Sequence, residues 1–331
     1  MKNLIVLSGG GFKAAYQAGA LKQLQDSGII PHCVMGTSGG ALNGALASCC
    51  RINDMEDIWN DIAIKGASSI FESELLDLNT MKLDTKKLIK YITPFIGLRL
   101  ITKKGRDEFK ILIKNKISSI NYLATSKGLF NLLFSNIDLK DVKIPFYFNF
   151  NSLHSGEEII TSNTDYLNNE EFVNGIVASA SIPLILKPVP AIFTKNSIHY
   201  NCVDGGVSSN VLINKAVKFI KNDINPSGWR IIVINCNSPK LEKLKKFNGA
   251  ISIFERVVLG MMLNNLSLKE TNSITIVNEL ATSANGYLHI PFYTINPTVN
   301  DLGETMEINR DLNQYRFQRG IQDAINFTKL I

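Results

Sequence analysis

Cys33-Val34-Met35-Gly36-Thr37-Ser38-Gly39-Gly40-Ala41 decides how the rest of the chain is read. Cys33 to Met35 is short and apolar, as in a strand buried on both faces of a parallel sheet. Ala41 to Cys50 follows with the alanine-rich texture of a helix. Between them, Gly36-Thr37-Ser38-Gly39-Gly40 fits G-x-S-x-G, a serine held on a sharp strand-to-helix turn. The spacing has a mechanical reason. Strand and helix crowd the residues two positions either side of the serine, and Gly36 and Gly40 are small enough to allow it. On such a turn the Ser38 hydroxyl projects from the sheet as a candidate nucleophile, and the Gly39 N–H, at a helix start, can face a developing oxyanion. A plain glycine-rich turn has the same letters; the strand leading in and the helix leading out favour the nucleophile.

One unit earlier the pattern repeats. Leu4-Ile5-Val6-Leu7 is a buried-strand run, broken by Ser8-Gly9-Gly10-Gly11-Phe12-Lys13. Ala14, Ala18, Leu21 and Leu24 then recur at helical spacing, with Gly28 in a stop position. Strand, glycine loop and helix, twice over, is the rhythm of an α/β domain. Consecutive glycines let a row of N–H groups converge on an anion. The same residues fit G-x-G-x-x-G/A through Gly9, Gly11 and Ala14. A dinucleotide site, however, needs an acid at the end of the second strand, ~20 residues on. That strand ends Met35-Gly36-Thr37-Ser38, without one, and Asp26 lies on the first helix. Lys13 opposes the helix macrodipole, so it reads either as a partner for a bound anion or as a solvated surface lysine.

Farther along, Ile144–Phe150 and Glu158–Thr161 read as strands joined by a turn at His154-Ser155-Gly156. Glu171–Ala180 reads as a helix ended by prolines, and Arg230–Asn235 as a buried strand. Helices are expected over Ile251–Glu279 and Asn309–Phe327. The middle, residues 55–136, looks mostly helical. With 331 residues and no repeat or linker, the expectation is a single domain over residues 1–331 with 55–136 as a basic helical insertion or cap.

Composition narrows the class. Apolar residues make up 45% and charged residues 19%, which excludes disorder and a disulfide scaffold. No run reaches the ~18 apolar residues of a membrane span. The five cysteines follow no metal-ligand or CxxC spacing and read as buried thiols of a reducing compartment. With no signal-peptide core at the N-terminus, the expected location is cytoplasmic, possible attachment to a membrane surface included. Net charge is +6, but Lys82 to Lys116 alone holds eleven Lys and Arg against Asp84, Asp107 and Glu108, a net of +8.

A serine nucleophile needs a base. Asp204 stands out in Cys202-Val203-Asp204-Gly205-Gly206, where an apolar approach meets two glycines that permit a tight turn. Gly9-Gly10-Gly11-Phe12-Lys13, Gly36-Thr37-Ser38-Gly39-Gly40, Ala180-Ser181-Ile182-Pro183 and Asp204-Gly205-Gly206, in this order, resemble the patatin-like phospholipase family. The likeness is strong over residues 4–50 and 176–215, and essentially absent from the basic insertion. It implies a three-layer α/β/α sandwich with a mostly parallel central sheet. It also implies a Ser–Asp dyad in which Ser38 is the nucleophile and Asp204 its general base, with Gly9, Gly10 and Gly11 as the oxyanion loop beside Gly39. Lys13, Gly205 and Gly206 support that arrangement. The chain departs from the family pattern at Ala14, where glycine is frequent, and at Asn210-Val211-Leu212, where a proline often follows the Asp-Gly-Gly.

The rival constellation is a Ser–Asp–His triad through Ser38, Asp204 and His289, one of four histidines (32, 154, 199, 289). The serine elbow here closes only the second strand, early for that fold. The expected activity is lipid acyl hydrolysis of the phospholipase A or lysophospholipase type, with no cofactor and no metal, calcium included, since no acidic cluster has ligand spacing. The alternatives are a general carboxylesterase for small esters and a non-catalytic lipid-binding scaffold. The expected partner is a phospholipid membrane surface, anionic lipid in particular, met by the basic segment with its interleaved Leu88, Tyr91, Phe95 and Leu98; an ordinary amphipathic cap reads equally well. No nucleic-acid motif accompanies the charges.

Overall fold

A computed structural model of the chain describes residues 1–92, 120–238, 256–283, 288–298 and 301–330, with a few isolated positions between them. The first half runs β1 (Lys2–Leu7), α1 (Ala14–Asp26), β2 (Cys33–Gly36), α2 (Gly39–Ser48) and α3 (Met55–Lys65). A short hairpin of β3 (Leu76–Asp77) and β4 (Lys82–Leu83) leads to α4 (Thr85–Ile92), and α5 (Lys127–Asn136) follows. Then come β5 (Phe146–Ser152), β6 (Glu158–Ser162), α6 (Asn169–Ser179), β7 (Val189–Phe193), β8 (Ile198–Asp204), α7 (Ile213–Lys221) and β9 (Trp229–Ile234). A π-helical turn over Arg256–Met262 enters α8 (Leu263–Ser283), before β10 (Phe292–Ile295) and α9 (Arg310–Thr328).

The sheet order is β10-β9-β1-β2-β5-β8-β7, with β6 on the other edge of β5. β10, β9, β1, β2 and β5 run parallel, while β8 and β6 run antiparallel to β5. Alternation along the strands divides the apolar side chains between two cores. Ile5, Leu7, Val34, Phe146 and Phe148 face α1, α2, α3 and α6. Leu4, Val6, Cys33, Met35 and Val233 face α7 and α8. This is the three-layer α/β/α arrangement, with helices on both faces of a mostly parallel sheet.

The expected elements need several corrections. The hairpin of β3 and β4 interrupts the helical middle, and α3 packs Met55, Trp59 and Ile62 into the main core. β7 and β8 were not expected as strands. Pro190 sits in β7, an edge strand where a missing N–H is tolerated, and the first half of β8 is largely exposed, so neither shows an apolar run. Four cysteines are buried, but Cys50 is exposed. Within the basic segment 82–116, residues 93–102 and several positions between 105 and 116 lie outside the described residues. Among the described residues no helix is long and apolar enough to cross a membrane.

Candidate active site

β5 explains how residues 166 positions apart come together. β2 pairs in parallel with Phe146–Phe148. β8 pairs antiparallel with Phe150–Ser152. β6 occupies the opposite edge of β5 along the same residues, so β2 and β8 share one edge and run toward each other. Their C-terminal ends converge beside Asn149. Ser38 follows one end and Asp204 closes the other.

The turn after β2 has the crowding its sequence implies. A side chain on Gly36 would lie 2.3 Å from the Gly40 carbonyl oxygen. Ser38 adopts φ 55° and ψ −124°, a region that non-glycine residues rarely occupy. Its N–H donates to Ser179 Oγ at 3.0 Å. Its hydroxyl does not cap α2; it donates to Asp204 Oδ2 at 2.6 Å. The other carboxylate oxygen of Asp204 accepts the Gly206 N–H at 2.7 Å, and the Asp204 N–H donates to Ser181 O at 2.9 Å. Ser38 and Asp204 are each 6% exposed. Burial pushes the Asp204 carboxyl up to about 7, against the opposing pull of the Ser38 hydroxyl and the Gly206 N–H. A carboxylate in that range can take and return a proton near neutral pH.

The glycine loop lies against this pair. A side chain on Gly39 would strike the Gly11 carbonyl oxygen at 2.7 Å, so the two turns are in contact. The N–H groups of Gly10, Gly11 and Gly39 have no acceptor among the described residues. The Gly9 N–H is different: it donates to Asn210 O at 3.1 Å, which removes it from the expected set of oxyanion donors. Gly9, Gly10, Gly11, Ser38 and Asp204 border a cavity of about 240 Å³, with Leu184, Val207, Met262 and Leu263 around it. Of these, Leu184, Val207 and Met262 are exposed apolar residues at its rim.

Lys13 is 6% exposed, so it is not a solvated surface lysine. Burial lowers its pKa, Glu304 opposes that, and Arg316 and Arg256 reinforce it. It does not border the cavity. Among the described residues, none of the four histidines bonds to Ser38 or Asp204. His289 is exposed and precedes β10, at the sheet edge far from β8. The geometry therefore brings Ser38, Asp204, Gly10, Gly11 and Gly39 together and leaves His289 out.

Two participants escaped the sequence reading. Asn149 is fully buried. Its Oδ1 accepts the Thr37 hydroxyl at 2.8 Å, and its Nδ2 donates to Gly205 O at 3.1 Å and Ser209 O at 3.0 Å. One side chain thus ties the serine turn to the Asp204 turn. The signal was there in Phe146-Tyr147-Phe148-Asn149-Phe150-Asn151, where asparagines alternate with phenylalanines inside a strand. Glu270 of α8 is a second. Its carboxylate accepts the Asn210 N–H at 3.1 Å and the Val211 N–H at 2.8 Å, and burial raises it to about 7. No sequence signal marked it. Among the described residues no group of three His, Cys, Asp or Glu is placed to hold a metal ion.

Comparison with known proteins supplies a family and three distant structures. A family model described as patatin-like phospholipase matches residues 5–217. No curated protein matches the chain. VipD from Legionella pneumophila is similar at 14% identity and TM-score 0.42, over 98% of this chain and 66% of that one. The type III effector ExoU is similar at 11% identity and TM-score 0.34, over 98% of this chain and 52% of that one. The ExoU–SpcU complex of Pseudomonas aeruginosa matches at 14% identity and TM-score 0.31, over 99% of this chain and 51% of that one. The chain thus spans just under two thirds of the VipD chain and about half of the ExoU chains.

Proposed function

From the premise that the chain belongs to the patatin-like phospholipase family, we propose that it is a serine lipid acyl hydrolase of the phospholipase A or lysophospholipase type. Ser38 serves as nucleophile, Asp204 as general base, and the amides of Gly10, Gly11 and Gly39 as oxyanion donors. The observation that carries this reading is the 2.6 Å contact between Ser38 Oγ and a buried Asp204 carboxylate.

The steps follow from that contact. Ser38 Oγ attacks the ester carbonyl carbon, and its proton passes to Asp204 Oδ2. The carbonyl π electrons move onto oxygen, where the glycine amides stabilise the charge. Collapse re-forms the carbonyl and breaks the ester C–O bond, and the leaving alkoxide takes the proton back from Asp204. Water then attacks the acyl-serine and gives a proton to Asp204. A second collapse expels Ser38 Oγ, which recovers that proton as the fatty acid departs. Every proton movement uses one carboxylate, whose raised pKa suits both directions.

The cavity favours lipid over small soluble esters. It is about 240 Å³ and its side chains are mainly apolar. Its exposed rim of Leu184, Val207 and Met262 supports delivery of substrate from a lipid surface. The test is a panel of phospholipids and lysophospholipids with purified protein, beside Ser38→Ala and Asp204→Asn, and a fluorophosphonate label. Release of fatty acid by the native protein, lost in both variants, is expected. Absence of both turnover and labelling in the native protein returns the reading to a lipid-binding scaffold, and cleavage confined to small soluble esters returns it to a carboxylesterase.

A further inference from the structure

Two cavities meet at Ser38. The larger contains Asp204 and the Gly9–Gly10 turn. The smaller, about 40 Å³, lies on the other side against α2, α3 and α5, and contains Gly39 but not Asp204. Gly11, Ser38 and Ile182 border both. Apart from Ser38, the smaller cavity has no polar wall beyond the Trp59 indole; Phe12, Leu42, Phe71, Leu129 and Leu186 are among its sides. Beyond it lies a third void of about 10 Å³, also between α2, α3 and α5. Leu42, Trp59 and Ile62 border both voids and form the partition between them. The partition is braced. Trp59 Nε1 donates to Asn43 Oδ1 at 2.9 Å, and Asn43 Nδ2 donates to Ala14 O at 2.8 Å.

The direction of the substrate follows from the chemistry of the tetrahedral carbon. Besides Ser38 Oγ, that carbon carries an oxyanion, a leaving alcohol oxygen and the acyl chain. The oxyanion turns to the glycine amides. The leaving oxygen must reach Asp204 to be protonated, and Asp204 borders only the larger cavity. The acyl chain takes the remaining direction, into the cavity that lacks Asp204. We propose that the apolar slot between α2, α3 and α5 receives the acyl chain of the substrate, that the larger cavity receives the alcohol portion, and that Trp59 and Ile62 at the end of the slot limit acyl length. This rests on Ser38 and Asp204 acting as assigned above.

Two ester series test it. p-Nitrophenyl esters from butyrate to palmitate vary the acyl chain, and butyrate esters of alcohols from ethanol to dodecanol vary the other side. Trp59→Ala opens the partition but strips Asn43 Oδ1 of its donor. Ile62→Ala keeps that bond and is the decisive variant, with thermal melting to verify its fold. Both variants should move the acyl optimum to longer chains, raising the laurate-to-butyrate ratio of kcat/KM by about tenfold, the effect of roughly two newly buried methylenes. The alcohol series should keep its native profile. An unchanged acyl profile in a folded, active Ile62→Ala protein overturns the inference alone, as does a shift in the alcohol series instead. A native protein inert toward both series and toward fluorophosphonate overturns the hydrolase reading and the slot with it.

Discussion

At the scale of single residues, Ser38 gives up stability for geometry. Its φ of 55° lies where a side chain is strained, at about 1 kcal/mol or more. Ser38→Gly should therefore be inactive yet more stable by about 1 kcal/mol in urea unfolding. Asp204 behaves similarly. Its folded pKa, about 7, stands above the ordinary aspartate value of 3.8, so between those values the native state holds a proton that the unfolded chain has released. Stability contributed by this group is present below about pH 4 and is lost as pH rises to about 7, on the order of a few kcal/mol. Glu270, also raised to about 7, adds to the same slope. Asp204→Asn should flatten the decline in melting temperature across that window by removing one of the two contributors. The base must be unprotonated to act, so kcat/KM of the native enzyme should rise through about pH 7 and level off above it. Ser38 was legible as a candidate because its strain is written in adjacent glycines. The burial that tunes Asp204 comes from residues far away in the chain.

At the scale of elements, the site depends on two strands arriving head-on along β5, with Asn149 at the gap. Its amide donates to two carbonyl oxygens of the Asp204 turn and to Glu158 Oε1, and accepts from Thr37. Asn149→Asp replaces the donor with a carboxylate facing oxygens and another carboxylate. We expect kcat to fall about 10²-fold from misplacement of the Ser38 and Asp204 turns, with less change in KM, measured by steady-state kinetics. Gly36→Ala places a methyl group 2.3 Å from the Gly40 carbonyl. It should prevent the turn from closing, and soluble expression together with circular dichroism would reveal that. The strand–glycine–helix units were readable because turn chemistry and periodicity are local. β8 was not, because half of it is exposed and its alternation is masked by His199, Tyr200 and Asn201.

Across the whole molecule, the C-terminal helix closes the site from behind. Arg316 of α9 is fully buried and donates to the carbonyl oxygens of Leu302, Glu304 and Glu307 at 2.8–3.0 Å. That segment presents Thr305, whose carbonyl accepts the Phe12 N–H at 2.9 Å and which borders the large cavity. Arg316→Met leaves three carbonyl groups without their donor. It should cost about 3 kcal/mol or more in urea unfolding, and lower activity by loosening the floor of the glycine loop.

The amino-acid order alone determined the repeated strand–glycine–helix unit, the strained serine and the α/β class, because each is encoded by neighbouring residues through backbone sterics and side-chain period. The resemblance named Asp204 as the partner of Ser38, but only the folded chain decided that this carboxylate is buried against the serine, that Gly9 spends its amide on Asn210, that Lys13 is buried, and where the apolar cavities open. Those outcomes arise from contacts between segments separated along the chain, and burial, which sets both the proton affinity of Asp204 and the shape of the substrate space, is a property of no single stretch.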